Sequence, residues 1–233
     1  MTPKIVTSFI GGKWVEPYEN AHKIKIIHPA DEQHVSTLYE ADANEVNSAA
    51  ETAKKTFDSG VWSNASVDDR KTVLLAIKDL IVENKEEIAE QEVMNTGAPI
   101  TQAYGRQIPR SAMNFEFFAE FISQASSPVF DQNPDYITYV RREPIGVAGL
   151  IAPWNAPMAL ATMKIAGAIA FGNSCVLKPS ELTPLGFVPF MNLLKKAGLP
   201  DGVINMVNGR GAVTGAAITQ NENIDVIAFT GGT

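Results

Sequence analysis

Residues 145–184 read IGVAGLIAPWNAPMALATMKIAGAIAFGNSCVLKPSELTP, and the fold turns on how that run is divided. IGVAGLI is a short apolar run of the kind found in a buried strand. PMALATMKIAGAIAFG has helical length and ends at Gly172, a helix stop. SCVLK is a second short strand. Pro153, Asn155, Pro157 and Lys164 interrupt the apolar run, so no segment reaches the roughly 20 apolar residues that a bilayer span requires. The stretch therefore predicts strand, helix, strand, buried in protein rather than in lipid.

The same grammar continues downstream. TPLGFVPFMNLLKKAG predicts a helix with Thr183 as N-cap, Pro184 at its first position and Gly198 at its end, although Pro189 falls in its interior. VINMV predicts a strand, GAVTGAAITQ a short helix and DVIAFT a last strand. Four short strands alternating with crossover helices predict an α/β fold, a Rossmann-like open parallel sheet with flanking helices. In such sheets ligands bind beyond the carboxyl ends of the strands.

Upstream the chain reads differently. SFIGGKWVE is a hairpin signal with Gly11-Gly12 at the turn, and HKIKIIH alternates like a strand. DANEVNSAAETAKKTF predicts a helix, with Asp42 as N-cap, Glu45 at the capping-box position, and Val46, Ala49, Ala50, Ala53 and Phe57 on one apolar face. A second helix begins at Ser66, with Asp69 in the same relation, and runs to Gly97 with Pro99 beyond it. A third covers much of 100–124. SSPVFDQNPD reads as a linker and YITYVRREP as an exposed strand. The chain thus divides into residues 1–126 (strands and helices), 127–144 (linker and exposed strand) and 145–233 (parallel core).

Among the 233 residues, 45% are hydrophobic and 19% charged, which is ordinary for a folded globular protein and excludes global disorder. The formal charge is -7. No basic stripe of the kind nucleic acid requires is present. A single cysteine, Cys175, precludes an intrachain disulfide and predicts a reducing, cytoplasmic compartment. MTPKIVTSFIGGKWVEP lacks the apolar run of a signal peptide. His22, His28 and His34 form no HExxH or Cys/His ligand pattern, so no metal site is predicted.

The strand ends carry the unusual residues. In APWNAP, two prolines stiffen the turn around Trp154 and Asn155. The asparagine amide can donate to a developing oxyanion or cap the next helix, and the tryptophan can simply pack. In LKPSE, Lys178 can donate to hydroxyls or phosphates, and Glu181 can accept from a ribose diol and repel a 2′-phosphate. A solvated surface pair is the plainer alternative. In NGRGAVTG, glycines precede a helix and permit close approach to a pyrophosphate, although the spacing is neither GxGxxG nor a P-loop. FTGGT places more glycine at the same edge. Cys175, inside an apolar strand, reads as an inert core residue.

In order along the chain, FIGGKWVEP, PIGVAGLIAPWNAPM, GNSCVLKPSELTP, GLPDGVINMVNG and IAFTGGT resemble landmarks of the NAD(P)-dependent aldehyde dehydrogenase superfamily. The FTGGT variant resembles bacterial dehydrogenases of aromatic-catabolism semialdehydes and similar aldehydes. The resemblance implies that Asn155 helps form the oxyanion hole, and that Ile151, Ala152, Pro153 and Trp154 line the cofactor cleft. It implies that Lys178, Ser180 and Glu181 hold the adenosine ribose, with the glutamate favouring NAD over NADP. Gly211 and Gly215 then meet the adenine and pyrophosphate, and Phe229, Thr230, Gly231 and Gly232 lie beside the pyrophosphate and nicotinamide. Many relatives carry serine where this sequence has Gly232, which removes a hydroxyl contact. YITYVRREP is implied to join an oligomerisation hairpin, with the N-terminal strands as an arm.

Members of that family continue well past FTG, through an ELGGK-like segment with a catalytic glutamate and a later nucleophilic cysteine. This sequence contains neither. The expectation is the N-terminal, cofactor-binding portion of a homodimeric or homotetrameric enzyme acting on a small aldehyde. A non-catalytic dinucleotide-binding or assembly module is the alternative.

Overall fold

A computed structural model describes residues 4–232; Met1–Pro3 and Thr233, the last residue of FTGGT, lie outside the described residues. Five short strands open the chain: β1 (Lys4–Val6), β2 (Phe9–Ile10), β3 (Lys13–Trp14), β4 (Lys23–Ile27) and β5 (His34–Tyr39). β5 pairs parallel with β1 and antiparallel with β4 in a small separate sheet. Between β2 and β3, Gly11 and Gly12 take φ of 58° and 79°, as a tight two-residue hairpin turn requires.

Helix α1 (Ala43–Asp58) begins where the capping pattern predicts. The Asp42 side chain accepts from the Glu45 N–H at 2.8 Å. Val46, Ala49, Ala50 and Ala53 are its buried face. α2 (Val67–Glu83) starts at Ser66, which accepts from the Asp69 N–H at 3.1 Å. The single helix expected from there to Gly97 is in fact two. At Asn84 the backbone leaves helical geometry (φ −102°, ψ 20°), and α3 (Lys85–Thr96) begins anew. Asn84 explains the break: its side-chain amide and its backbone N–H both donate to Leu80 O, at 2.8 and 3.0 Å. Short amides compete with the helical ladder in this way. Gly97, at φ 69°, closes α3.

The helix expected over 100–124 comprises α4 (Ile100–Gln102), a π-helical segment at Ala103–Gln107, and α5 (Ile108–Ile122). The widened turn ends two residues before Pro109, which has no N–H to donate to the preceding turn. The expected linker proves to contain a strand. β6 (Val129–Asn133) pairs antiparallel with β7 (Tyr136–Tyr139), and the Asn133 side chain accepts from the Asp135 N–H at 2.9 Å to close the hairpin. Its Pro, Asn and Asp content reads as loop, because pairing partners do not show in local composition.

The remaining elements follow the predicted alternation: β8 (Val147–Ile151), α6 (Pro157–Ala170), β9 (Ser174–Lys178), α7 (Phe187–Lys196), β10 (Ile204–Met206), a π-helical segment at Gly211–Gly215 running into α8 (Ala216–Thr219), and β11 (Val226–Phe229). The order across the sheet is β11-β8-β9-β10-β2-β3. The first four strands are mutually parallel, and the β2–β3 hairpin adds antiparallel beyond β10. α7 corrects the expectation of a start at Pro184 capped by Thr183. It begins at Phe187 without a side-chain cap. Pro189 therefore falls in the first turn, where its missing N–H costs no helical hydrogen bond.

Alternation along the strands sends side chains to two cores. Ala148, Leu150, Cys175 and Leu177 pack with α2, α5, α6 and α7 residues on one face. Val147 and Val176 pack with α1 and Ile218 of α8 on the other. Both faces are covered, as a parallel sheet requires. Gly149 is a position of close approach: a Cβ there would lie 2.6 Å from Ile227 Cδ1 and 2.8 Å from Ile218 Cγ2.

Candidate functional site

Phe229, Ile151 and Lys178 are register partners across β11, β8 and β9, so three strand tips end on one rim. The rim is sealed by backbone bonds. Ala152 N–H donates to Lys178 O at 3.0 Å, Thr230 N–H to Ile151 O at 3.1 Å, and Val207 N–H to Leu177 O at 2.9 Å. Beyond it lies a cleft of about 420 Å³, within the range of small-ligand sites. Ile151, Ala152, Pro153, Trp154, Asn155, Lys178, Ser180, Glu181, Gly211 and Phe229 to Gly232 line it. Of the residues predicted from sequence, only Gly215 is not on the wall. It lies behind the wall, where a Cβ would touch the Lys178 chain at 3.6 Å.

The turn after β8 presents its polar group outward. Asn155 is exposed, and α6 carries no side-chain cap at its N-cap, Ala156. Helix capping is therefore not what this amide does. Trp154 is 59% exposed, so it is not a packing residue within this chain.

Lys178 overturns the reading of a solvated surface pair. It is 2% exposed. Its ammonium donates to Pro179 O at 2.9 Å and to Gly209 O at 2.6 Å, with Glu181 Oε2 at 3.6 Å. Burial pushes its pKa down, and the carboxylates of Glu181 and Glu40 oppose that shift. Two of three N–H donors are spent on carbonyls; the third is left for the Glu181 side of the cleft.

Several supporting residues escaped the sequence reading. Glu40, at the end of β5, is 4% exposed and grips Arg210: it accepts from the backbone N–H at 2.8 Å, from Nε at 2.9 Å and from Nη2 at 2.7 Å. These hydrogen bonds hold its carboxyl below the usual range against the opposing effect of burial. The glycine turn before Gly211 is thereby anchored. Gly209 itself has φ 152°, and a Cβ there would collide with Thr214 Oγ1. Lys164, the charge that interrupts the apolar α6 sequence, donates to Thr230 Oγ1 at 2.6 Å, and burial lowers its pKa. Its oddness in an apolar helix was a signal. Leu160 and Leu182 complete the wall with nothing in their local sequence to single them out.

Cys175 is fully buried as the second residue of β9, paired with Ala148 and Ile204. It lies three residues before the tip, about 10 Å along the strand. Burial pushes its thiol pKa up, which disfavours the reactive thiolate. Among the described residues no group of three or more His, Cys, Asp or Glu side chains could hold a metal ion, and no helix is long and apolar enough to cross a membrane.

The sequence model of the aldehyde dehydrogenase family matches residues 14–233. The chain belongs to the aldehyde dehydrogenase family. This aldehyde dehydrogenase chain is 40% identical over 230 residues to aldehyde dehydrogenase 1 of Tanacetum cinerariifolium, covering 99% of the chain and 46% of that protein. It is 37% identical over 231 residues to the betaine aldehyde dehydrogenase of Bacillus subtilis, covering 97% of the chain and 46% of that protein. Among solved structures, an NAD+ complex of an aldehyde dehydrogenase from Bacillus cereus superposes with a TM-score of 0.94 at 34% identity, covering 98% of this chain and 46% of the other. The chain thus spans about half the length of the aldehyde dehydrogenases it matches.

Proposed function

We propose that these residues form the NAD-binding portion of an enzyme that oxidises an aldehyde to its carboxylic acid. The observation that carries the reading is the convergence of Asn155, Lys178, Ser180, Glu181, Gly211 and Thr230–Gly232 on one cleft at the strand tips, in a chain of this family. In this reading the cleft seats part of the dinucleotide. At Gly211 and Gly232 a Cβ would project into open space, so the backbone is bare to a ligand there. Glu181 stands at the rim with a lysine donor behind it, an arrangement suited to a ribose diol.

Bound NAD would supply the acceptor for the hydride that leaves the substrate carbon. The residues of this cleft bind and orient. Lys178 and Glu181 hold the ribose hydroxyls, and the Glu181 charge disfavours a 2′-phosphate, hence NAD rather than NADP. The Asn155 amide, on a turn limited by Pro153 and Pro157, donates to the oxygen on which negative charge develops. The thiolate nucleophile is not Cys175, so in this proposal it and the water-activating glutamate come from sequence beyond these 233 residues. Titration calorimetry of the chain with NAD should give saturable one-site binding that Lys178→Ala and Glu181→Ala weaken. No heat with the unaltered chain would sink the cofactor assignment, and NADH formed from an aldehyde by the pure chain would sink the assignment of the nucleophile.

The β6–β7 hairpin supports an assembled enzyme. Val129, Tyr136, Ile137 and Tyr139 on it are each more than 60% exposed, an apolar load suited to burial against another subunit. We place the complete enzyme in the cytoplasm as a homodimer or homotetramer, which sedimentation of the complete protein would test. The competing reading, a dinucleotide-binding or assembly module without catalysis, is favoured by one observation, the burial of the chain's only cysteine. Size-exclusion with and without a complete relative separates the two.

A further inference from the structure

The two lips of the cleft, Pro153–Asn155 and Ser180–Leu182, sit on loops 25 or more residues apart in sequence. Both reach back to the same turn of α3. We propose that Glu92 and Asn95 are positioning residues that set the separation of the lips, each by holding the backbone just behind one of them.

Glu92 is fully buried, and its Oε1 accepts from the Met158 N–H at 3.3 Å. Met158 is the second residue of α6, three beyond Asn155. The first N–H groups of any helix lack intrahelical partners, and α6 has no side-chain cap of its own. A carboxyl from a different helix, 66 residues away in sequence, supplies the acceptor. Asn95, three residues further along α3 and 3% exposed, accepts from the Leu185 N–H at 2.7 Å. Leu185 stands four residues beyond Glu181. The Asn95 amide is itself fixed, donating to Glu92 O at 2.9 Å.

Packing closes the arrangement. A Cβ at Gly186 would lie 2.7 Å from Glu92 Oε2 and 3.1 Å from Met158 Cγ, so the backbone behind the second lip is seated directly on the carboxyl that holds the first. A leucine at position 92 would fill similar volume without desolvating a carboxyl. It could not offer an acceptor to α6.

The test uses the full chain labelled with 5-fluorotryptophan. Fluorine NMR reads Trp154, assigned by its loss in Trp154→Phe, and calorimetry reads NAD affinity, an arm that rests on the cofactor reading above. Glu92→Gln keeps an acceptor and should retain the Trp154 resonance and an NAD affinity within about twofold. Glu92→Leu and Asn95→Leu should move the Trp154 resonance, leave the buried Trp62 resonance in place and weaken NAD about tenfold, the effect of one lost buried hydrogen bond. Ile88→Ala, a core deletion on the same helix, should leave Trp154 unmoved. If Glu92→Leu does not fold, Gly186→Ala takes its place, since crowding Oε2 must shift Trp154. A folded Glu92→Leu or Gly186→Ala with an unaltered Trp154 resonance overturns the proposal, as does an equal shift in Ile88→Ala. If Trp154 moves as expected while even the unaltered chain binds no NAD, the positioning role stands and the cofactor reading falls.

Discussion

The Lys178 ammonium donates to the carbonyl oxygen of Gly209 at 2.6 Å, bridging 31 residues between the tip of β9 and the glycine turn that follows β10. One buried charge therefore holds two walls of the cleft together, and it does so through backbone acceptors.

Lys178→Met should leave the carbonyls of Gly209 and Pro179 without their donor. Each such buried loss costs about 1–3 kcal/mol. Urea unfolding should show a destabilisation in that range or up to about twice it, and NAD affinity should fall in parallel. An unchanged unfolding midpoint would show that the bridge carries nothing.

Glu181→Gln removes the charge at the rim while keeping its size and an acceptor. The ratio of NADP to NAD affinity should rise about tenfold, equivalent to roughly 1.4 kcal/mol. Calorimetry with both dinucleotides measures it. A ratio that does not move would place the 2′-hydroxyl elsewhere.

Glu40→Gln should loosen the turn at Arg210 by about 1–3 kcal/mol. The Glu40 pKa is depressed in the fold, so its contribution is present above the ordinary carboxylate range and lost as pH falls through its folded pKa. The difference in stability between Glu40→Gln and the unaltered chain should be largest near neutrality and shrink in acid.

Glu92 has the opposite sign. Burial pushes its pKa from 4.5 up to about 8, against the lowering effect of the Met158 N–H. Between those values the folded chain holds a proton that the unfolded chain has released. Its contribution is therefore full below about pH 4.5 and is lost as pH rises through about 8. Melting temperatures at pH 5.5 and 8.5 should show a decline that Glu92→Gln flattens. Equal slopes for both proteins would contradict the assignment.

Cys175 should be inert in the folded chain. An aromatic disulfide reagent should label it only at the rate of unfolding, and fully in denaturant. Rapid labelling without denaturant would mean that the strand opens locally.

Much of this protein was legible in its sequence because the signals are local. Asp42 and Ser66 cap within three residues of themselves, and Gly11-Gly12 and Gly97 take positive φ where their neighbours predict turns. The alternation of apolar strands with helices after residue 145 dictates parallel order, and parallel order sends Asn155, Lys178 and Glu181 to one rim. Tertiary structure alone decided what depends on distant partners. The sequence has no means to say that Lys178 is buried on Gly209, that Glu92 meets Met158, or that Glu40 grips Arg210, since those contacts span 31, 66 and 170 residues. The late start of α7 and the strand hidden in the presumed linker have the same origin. A buried polar group is set by whatever the fold brings to it, and local chemistry does not contain that information.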